Sequence, residues 1–253
     1  MFDQSNSINW ISHRGLCSAA AENTSAAFQA AIKNGFKCLE TDLRVTKDRH
    51  IVLSHDPTFK RFLGPDTPIW QLTRTQISTL ALGIKEPIMF FDEFVEKFAA
   101  YQWVLDIKPE QGLTTINCLS KWARSKKAHA WISENSRFLF WNREHEQRFL
   151  NEFPNAKLYA RSSECWSAGL AVLFGLPSLG RINPAKVYAI PPRLGKLQLY
   201  KQRLVDAFHK KGAKVIAFLP QTKEDANAAI KAGVDEILTD HNFLNCARNQ
   251  ELN

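Results

Sequence analysis

Eight short apolar runs, each followed by a stretch of helical periodicity, recur from one end of this 253-residue chain to the other. The runs cover residues 9–13, 38–44, 103–108, 137–141, 156–162, 186–190, 214–219 and 236–240. Helical patterns fall at 24–34, 91–100, 113–127, 144–153, 165–176, 197–211 and 223–231. Phe91, Phe94, Val95 and Phe98, for instance, have the i, i+3, i+4, i+7 spacing of one buried face. Strands that alternate with helices in this way run parallel, and eight such units close into a (β/α)8 barrel. An open doubly wound sheet is the other arrangement, but it more often carries a glycine-rich phosphate loop after its first strand. Here that position reads His13-Arg14-Gly15. No repeat, low-complexity tract or linker divides the chain, so one domain over residues 1–253 is expected.

One stretch departs from the alternation. Residues 45–49 read as a turn and 50–54 as a short returning strand, a hairpin excursion after the second strand that would carry His55 back over the barrel mouth. From Pro57 to Pro87 periodicity is weak apart from residues 73–80, and this segment is expected on the catalytic face. Asn23 is placed to cap the first helix, with Gly35, Gly212 and Gly233 as helix stops.

Five cysteines, Cys17, Cys38, Cys118, Cys165 and Cys246, are scattered without CxxC spacing. Neither a disulfide framework nor a zinc site is expected, and a reducing, cytoplasmic compartment is. The start, Met1-Phe2-Asp3-Gln4-Ser5, lacks the basic and apolar regions of a secretory signal. No apolar run reaches the ~18 residues of a membrane span, so no stable membrane insertion is expected. The nearest, residues 166–176, reads as a buried or capping helix, with a membrane-touching lip as the other possibility. The net charge is +8, and basic residues concentrate between Arg193 and Lys214. No nucleic-acid-binding signature accompanies them, so nucleic acid is not an expected partner. Leu197, Tyr200, Leu204 and Phe208 share a helical face, which makes this an outer helix whose lysines are solvated. The positive field would speed encounter with an anionic substrate.

The chemistry-bearing residues lie at the ends of the expected strands. Residues two apart on a strand share a face, so Glu40 and Asp42 point together, as do Asp106 and Lys108. In a barrel the C-terminal ends of these strands bring the three carboxylates Glu40, Asp42 and Asp106 to one face. Without cysteines or an imidazole cluster among them, they suit a hard cation, Mg²⁺ or Ca²⁺. His13 ends the first strand and His55 the hairpin, two groups able to accept and donate protons near neutrality. Arg14 and Lys108 are placed to hold phosphate oxygens. Carboxylates for a cation, two imidazoles and two cationic side chains together suit cleavage of a phosphate ester.

The chain resembles the glycerophosphodiester phosphodiesterase family of TIM-barrel hydrolases. The carrying residues are His13-Arg14-Gly15, Glu22-Asn23-Thr24, Glu40-Thr41-Asp42, Thr46-Lys47-Asp48, His55-Asp56, Asp106-Ile107-Lys108 and residues 233–240, in family order along nearly the whole chain. The resemblance implies a divalent metal on Glu40, Asp42 and Asp106, with His13 and His55 as the acid/base pair. It also implies phosphate contacts from Arg14 and Lys108, and a supporting place for Glu22 beside Asn23. Its substrate would be a small glycerophosphodiester, split into an alcohol and sn-glycerol 3-phosphate. Four positions depart from the family pattern. Asp106 stands where glutamate is usual, which shortens that carboxylate by one methylene. Phe218 stands where tryptophan is usual and keeps an aromatic wall without the N–H. Arg49 replaces a turn glycine, and Phe59-Lys60-Arg61-Phe62-Leu63 replaces a threonine-rich stretch. A lysophospholipase D-like enzyme and a non-catalytic phosphodiester-binding barrel are the alternatives, and the oligomeric state stays open.

Overall fold

All eight expected strands form. The computed structural model describes residues 8–62, 64–80 and 86–244. Among these the strands are β1 (Asn9–Ser12), β2 (Cys38–Val45), β3 (Ile51–Leu53), β4 (Gln102–Ile107), β5 (Ser136–Phe140), β6 (Lys157–Tyr159), β7 (Lys186–Ile190), β8 (Arg193–Leu194), β9 (Leu197–Gln198), β10 (Lys214–Phe218) and β11 (Glu236–Thr239). The helices are α1 (Ser25–Lys33), α2 (Arg74–Ser78), α3 (Phe91–Phe98), α4 (Gly112–Ser125), α5 (His129–Asn135), α6 (Arg143–Glu152), α7 (Ser162–Leu173), α8 (Gln202–His209) and α9 (Lys223–Ala232). Strands β1, β2, β4, β5, β6, β7, β10 and β11 pair in parallel. Since β1 bonds to both β2 and β11, the sheet closes into a single eight-stranded barrel wrapped by helices.

Two apolar layers follow from the alternation of side chains along each strand. Ile11, Cys38, Val104, Tyr159, Val187, Ile216 and Leu238 point inward and plug the barrel. The opposite faces join the helices in the main core, where Phe28, Phe94, Trp103, Phe138 and Phe149 are essentially inaccessible. Phe94 packs against both Phe28 and Trp103, with ring centroids 4.9 and 5.0 Å apart. Lower in the barrel, buried Glu236 is paired with Arg137 and accepts a 2.6 Å hydrogen bond from the Tyr159 hydroxyl.

The hairpin after β2 is present. Strand β3 runs antiparallel to the end of β2, with Leu53 opposite Leu43. The segment beyond it builds a small core of its own from Val52, Phe59, Ile69, Ile77, Ile88 and Phe90. Helix α2 within it is fixed by Thr73, whose side chain accepts from the Gln76 amide.

Three local expectations are corrected, and one further helix appears. Thr24, not Asn23, caps α1 by accepting from the Ala27 amide, because Asn23 is left-handed (φ 58°) and its side chain turns toward β2. The expected helix over 197–211 starts only at Gln202: residues 193–198 fold on themselves as β8 and β9, around a Gly195-Lys196 turn in which Gly195 has φ 59°. The sixth strand stops at Tyr159, and α7 begins at Ser162, where the Glu164 carboxylate accepts from the Arg161 amide at 2.8 Å. Helix α5 was not expected; it is short and sends Ile132 into the core.

Candidate active site

Strand register alone brings the three carboxylates together. Asp42 of β2 lies directly beside Asp106 of β4, and Glu40 sits two residues back on the same face as Asp42. One oxygen from each of Glu40, Asp42 and Asp106 falls within 4.8 Å of the others, and all three residues are buried. The triad can therefore hold a metal ion. Its donors are all carboxylate oxygens, which suits a hard divalent cation.

Two cations already lie against this cluster. The Lys108 ammonium sits 2.7 Å from Asp42 Oδ1 and donates to Asp106 Oδ2 at 2.6 Å. Arg14 pairs with Asp42 at 3.2 Å and with Glu22, also at 3.2 Å. The backbone amide of Arg14 donates to Glu40 Oε2 at 2.9 Å, which its left-handed backbone (φ 56°) makes possible. Its buried Nε has no aligned hydrogen-bond acceptor. Asn23 holds the far oxygen of Asp42 through Nδ2 (2.9 Å), while its own Oδ1 accepts from Thr41 (2.7 Å).

Two positive charges do not balance three negative ones. Burial pushes the Glu40 carboxyl up to about 8, and the neighbouring Asp42 charge adds to the rise. Burial likewise raises Asp106, only partly offset by Lys108. Burial acts upward on Asp42 too, but the charges of Lys108 and Arg14 outweigh it and leave that carboxyl below its usual range. Burial and mutual repulsion thus work against all three carboxyls being charged together, and a further positive charge would relieve this. A divalent ion meets that demand, so the residues present fit the metal.

Both histidines open onto the same cavity as the triad. His13 donates from Nδ1 to Asp240 Oδ1 at 2.6 Å, and His55 Nδ1 lies 2.8 Å from Asp56 Oδ1. A carboxylate on Nδ1 fixes the ring and leaves Nε2 as the nitrogen for proton exchange. Burial pulls the His13 pKa down, yet the Asp240 hydrogen bond and the Glu40 charge together leave it above the ordinary histidine value. Glu22 is clamped between Arg14 and Arg61, and Arg61 also donates to Asp56 at 2.6 Å, which ties the excursion after β3 to the site. Phe218, 40% exposed, lines the cavity at the end of β10.

Three partners have no site role in the sequence reading, although Asp240 ends the 233–240 motif. Asp240 follows β11, and because Ser12 pairs with Thr239 the closed barrel puts it beside His13. Barrel closure was the signal, since first and last strands become neighbours. Trp141, one residue beyond β5, donates from Nε1 to Asp106 Oδ1 at 2.8 Å and places its ring 5.2 Å from the Lys108 ammonium. A polar aromatic at a strand's C-terminal end was the only hint. Arg61 had none, because it reaches the site through an irregular segment.

Residues 13–242 match the family model described as "Glycerophosphoryl diester phosphodiesterase family". The chain belongs to this family. It is a glycerophosphodiester phosphodiesterase, a phosphoric diester hydrolase. A glycerophosphodiester phosphodiesterase of Caldanaerobacter subterraneus is 27% identical over 243 residues, spanning 91% of this chain and 93% of the relative. Human lysophospholipase D GDPD1 is 48% identical over 62 residues, which is 24% of this chain and 20% of that protein. In three dimensions the chain is similar to an Oleispira antarctica phosphodiesterase in complex with the product sn-glycerol-3-phosphate. The TM-score is 0.72 at 20% identity, covering 95% of this chain and 96% of the other.

Proposed function

We propose that this enzyme hydrolyses small glycerophosphodiesters to an alcohol and sn-glycerol 3-phosphate, using one divalent cation, Mg²⁺ or Ca²⁺, on Glu40, Asp42 and Asp106, with His13 and His55 as the acid/base pair. The carrying observation is the convergence in one cavity of three buried carboxylates, two carboxylate-oriented imidazoles and the cations Arg14 and Lys108. When bound, the metal supplies positive charge that polarises a phosphoryl oxygen.

The chain's own residues carry the rest. Arg14 and Lys108 bind the phosphate oxygens and offset charge as it grows at phosphorus. One imidazole takes a proton from the attacking water through Nε2. As the water oxygen bonds to phosphorus, the ester bond to the alcohol breaks, and the other imidazole gives its proton to the departing oxygen. Asp240 and Asp56 hold the two rings in place, Asn23 orients Asp42, and Glu22 positions Arg14. Phe218 forms an apolar wall for the substrate. We place this work in the cytoplasm on small-molecule substrates, without nucleic acid. Among the described residues no helix is long and apolar enough to cross a membrane.

Phosphate-monoester release from glycerophosphocholine and glycerophosphoethanolamine, with and without a chelator, tests the reading. Hydrolysis that stops on chelation and returns with Mg²⁺ or Ca²⁺ is expected; hydrolysis indifferent to chelation would overturn it.

A further inference from the structure

The two imidazoles of the site stand on unequal foundations. His13 ends a paired strand: its amide donates to Thr239 O at 3.0 Å, and its ring is mostly buried. His55 lies beyond the end of β3, and its side chain is 38% exposed. The last backbone bond before it runs from the Ser54 amide to Asp42 O at 3.0 Å. Among the described residues neither the amide nor the carbonyl of His55 makes a backbone hydrogen bond.

A side chain fills that gap. Arg44 lies on β2, two residues past Asp42 on the same strand face. Its guanidinium donates twice to the His55 carbonyl oxygen, from Nε at 3.1 Å and from Nη2 at 2.6 Å. The remaining Nη1 donates at 2.9 Å to Oε2 of Glu110, which follows Lys108 by two residues. The planar fork is thus fixed at both ends. The Arg44 side chain is only 4% exposed, yet it does not line the cavity. A buried cation costs free energy unless its partners offset it, and two of these three bonds go to the residue that carries the imidazole. Carbonyl and ring hang from the same Cα, so holding the one sets where the other starts.

We propose that Arg44 is a positioning residue for His55: in place of a sheet ladder it holds the main chain there, so that the ring, oriented by Asp56, meets the phosphodiester at proton-transfer distance. This rests on the acid/base role proposed for His55 and adds the group that sets where the ring stands.

Arg44→Met keeps an unbranched buried chain without donors. A misplacement of about 1 Å near the reacting atoms can cost on the order of 10²-fold, so kcat on glycerophosphocholine should fall about 10–100-fold. KM should stay within about twofold. The decisive readout is the same substitution in a His55→Ala background. Groups that work as a unit are non-additive, so Arg44→Met should change the rate of His55→Ala by no more than about twofold. A merely structural role would lower both backgrounds alike, and that result would overturn the proposal, as would an undiminished kcat in Arg44→Met. If this variant does not fold, Glu110→Ala releases Nη1 from the loop side and leaves β2 intact. It should lower kcat less, again only while His55 is present; no loss, or the same loss in both backgrounds, sinks the idea. Should His55→Ala match the wild type, or the wild type be inert with every divalent cation, the catalytic reading fails by itself. Imidazole NMR signals then decide the placement. A His55 ring resonance shifted by Arg44→Met or Glu110→Ala, with that of His13 unmoved, supports it, and an unmoved His55 resonance overturns it.

Discussion

The two sides of the barrel mouth are built on opposite plans. On the side of β1, β2 and β4, the rim is lined mostly by ionisable side chains above Ile11 and Val104, and these are held by partners: Lys108 by two aspartates, Arg14 by Asp42 and Glu22, His13 by Asp240, Asp106 by Trp141. On the side of β6 and β7, with α7 and α8 behind them, the wall is apolar and carries few directional bonds. The first side fixes atoms to within hydrogen-bond tolerance, which catalysis requires. The second can make only non-directional contacts with whatever enters. The two walls should therefore respond differently to mutation.

The sharpest break is expected on the charged side. His13→Ala or His55→Ala should each lower kcat by about 10²–10⁴-fold, the usual worth of a positioned proton-transfer group. Steady-state kinetics on glycerophosphocholine checks this; retained activity in either variant removes that histidine from the mechanism. Next comes Trp141→Phe, which keeps a ring beside Lys108 but deletes the donor to Asp106. Outer partners of a metal site are commonly worth about 10–100-fold in metal affinity, so activity titrated with Mg²⁺ or Ca²⁺ should need correspondingly more ion.

Two effects depend on pH. The Glu40 carboxyl is raised from 4.5 to about 8 in the fold, so between those values the metal-free folded state holds more protons than the unfolded chain. Stability therefore falls as pH rises through this window. A divalent ion replaces that proton, and its stabilisation should be larger near the upper end of the window, on the order of a few degrees in Tm. Thermal melts with and without metal across the range check this, and a metal shift independent of pH contradicts it. In Asp240→Asn the influence that raises His13 is lost, so the limb of the pH–rate profile carried by His13 should move to lower pH. A limb that stays put would mean His13 titrates outside that profile.

The smallest expected effect lies on the other side. Leu170→Ala at the half-exposed lip should leave glycerophosphocholine turnover within about twofold, as surface changes away from special features usually do. A large loss there would erase the separation between the two walls.

The charged side was legible in the sequence and the apolar side was not, for a physical reason. Period-two spacing puts Glu40 with Asp42, and Asp106 with Lys108, on one strand face whatever else the chain does. Once eight strands close, their C-terminal ends share a rim, so Arg14, His13 and His55 meet there, with Glu22 behind Arg14, as the motifs suggest. What escaped depends on three-dimensional detail. Asn23 looked like a cap because it precedes a helix and has the right side chain, but Thr24 next to it could do the same, and only coordinates reveal which one turns inward. Leu197 and Tyr200 matched a helical period by coincidence, while Gly195-Lys196, a two-residue turn signal, lay inside the pattern. The apolar wall is lined by α7 and α8, whose first residues the pattern misplaces, and boundaries are the least determined part of a pattern reading.

Calorimetric titration of the metal-free protein with Mg²⁺ and Ca²⁺, set beside the same titration of Asp42→Asn and Asp106→Asn, probes the shared-ion site most directly. One ion per chain in the wild type, with binding weakened or abolished in both variants, is the predicted result. An ion bound equally well by all three proteins, or by none of them, would contradict a cation held jointly by Glu40, Asp42 and Asp106.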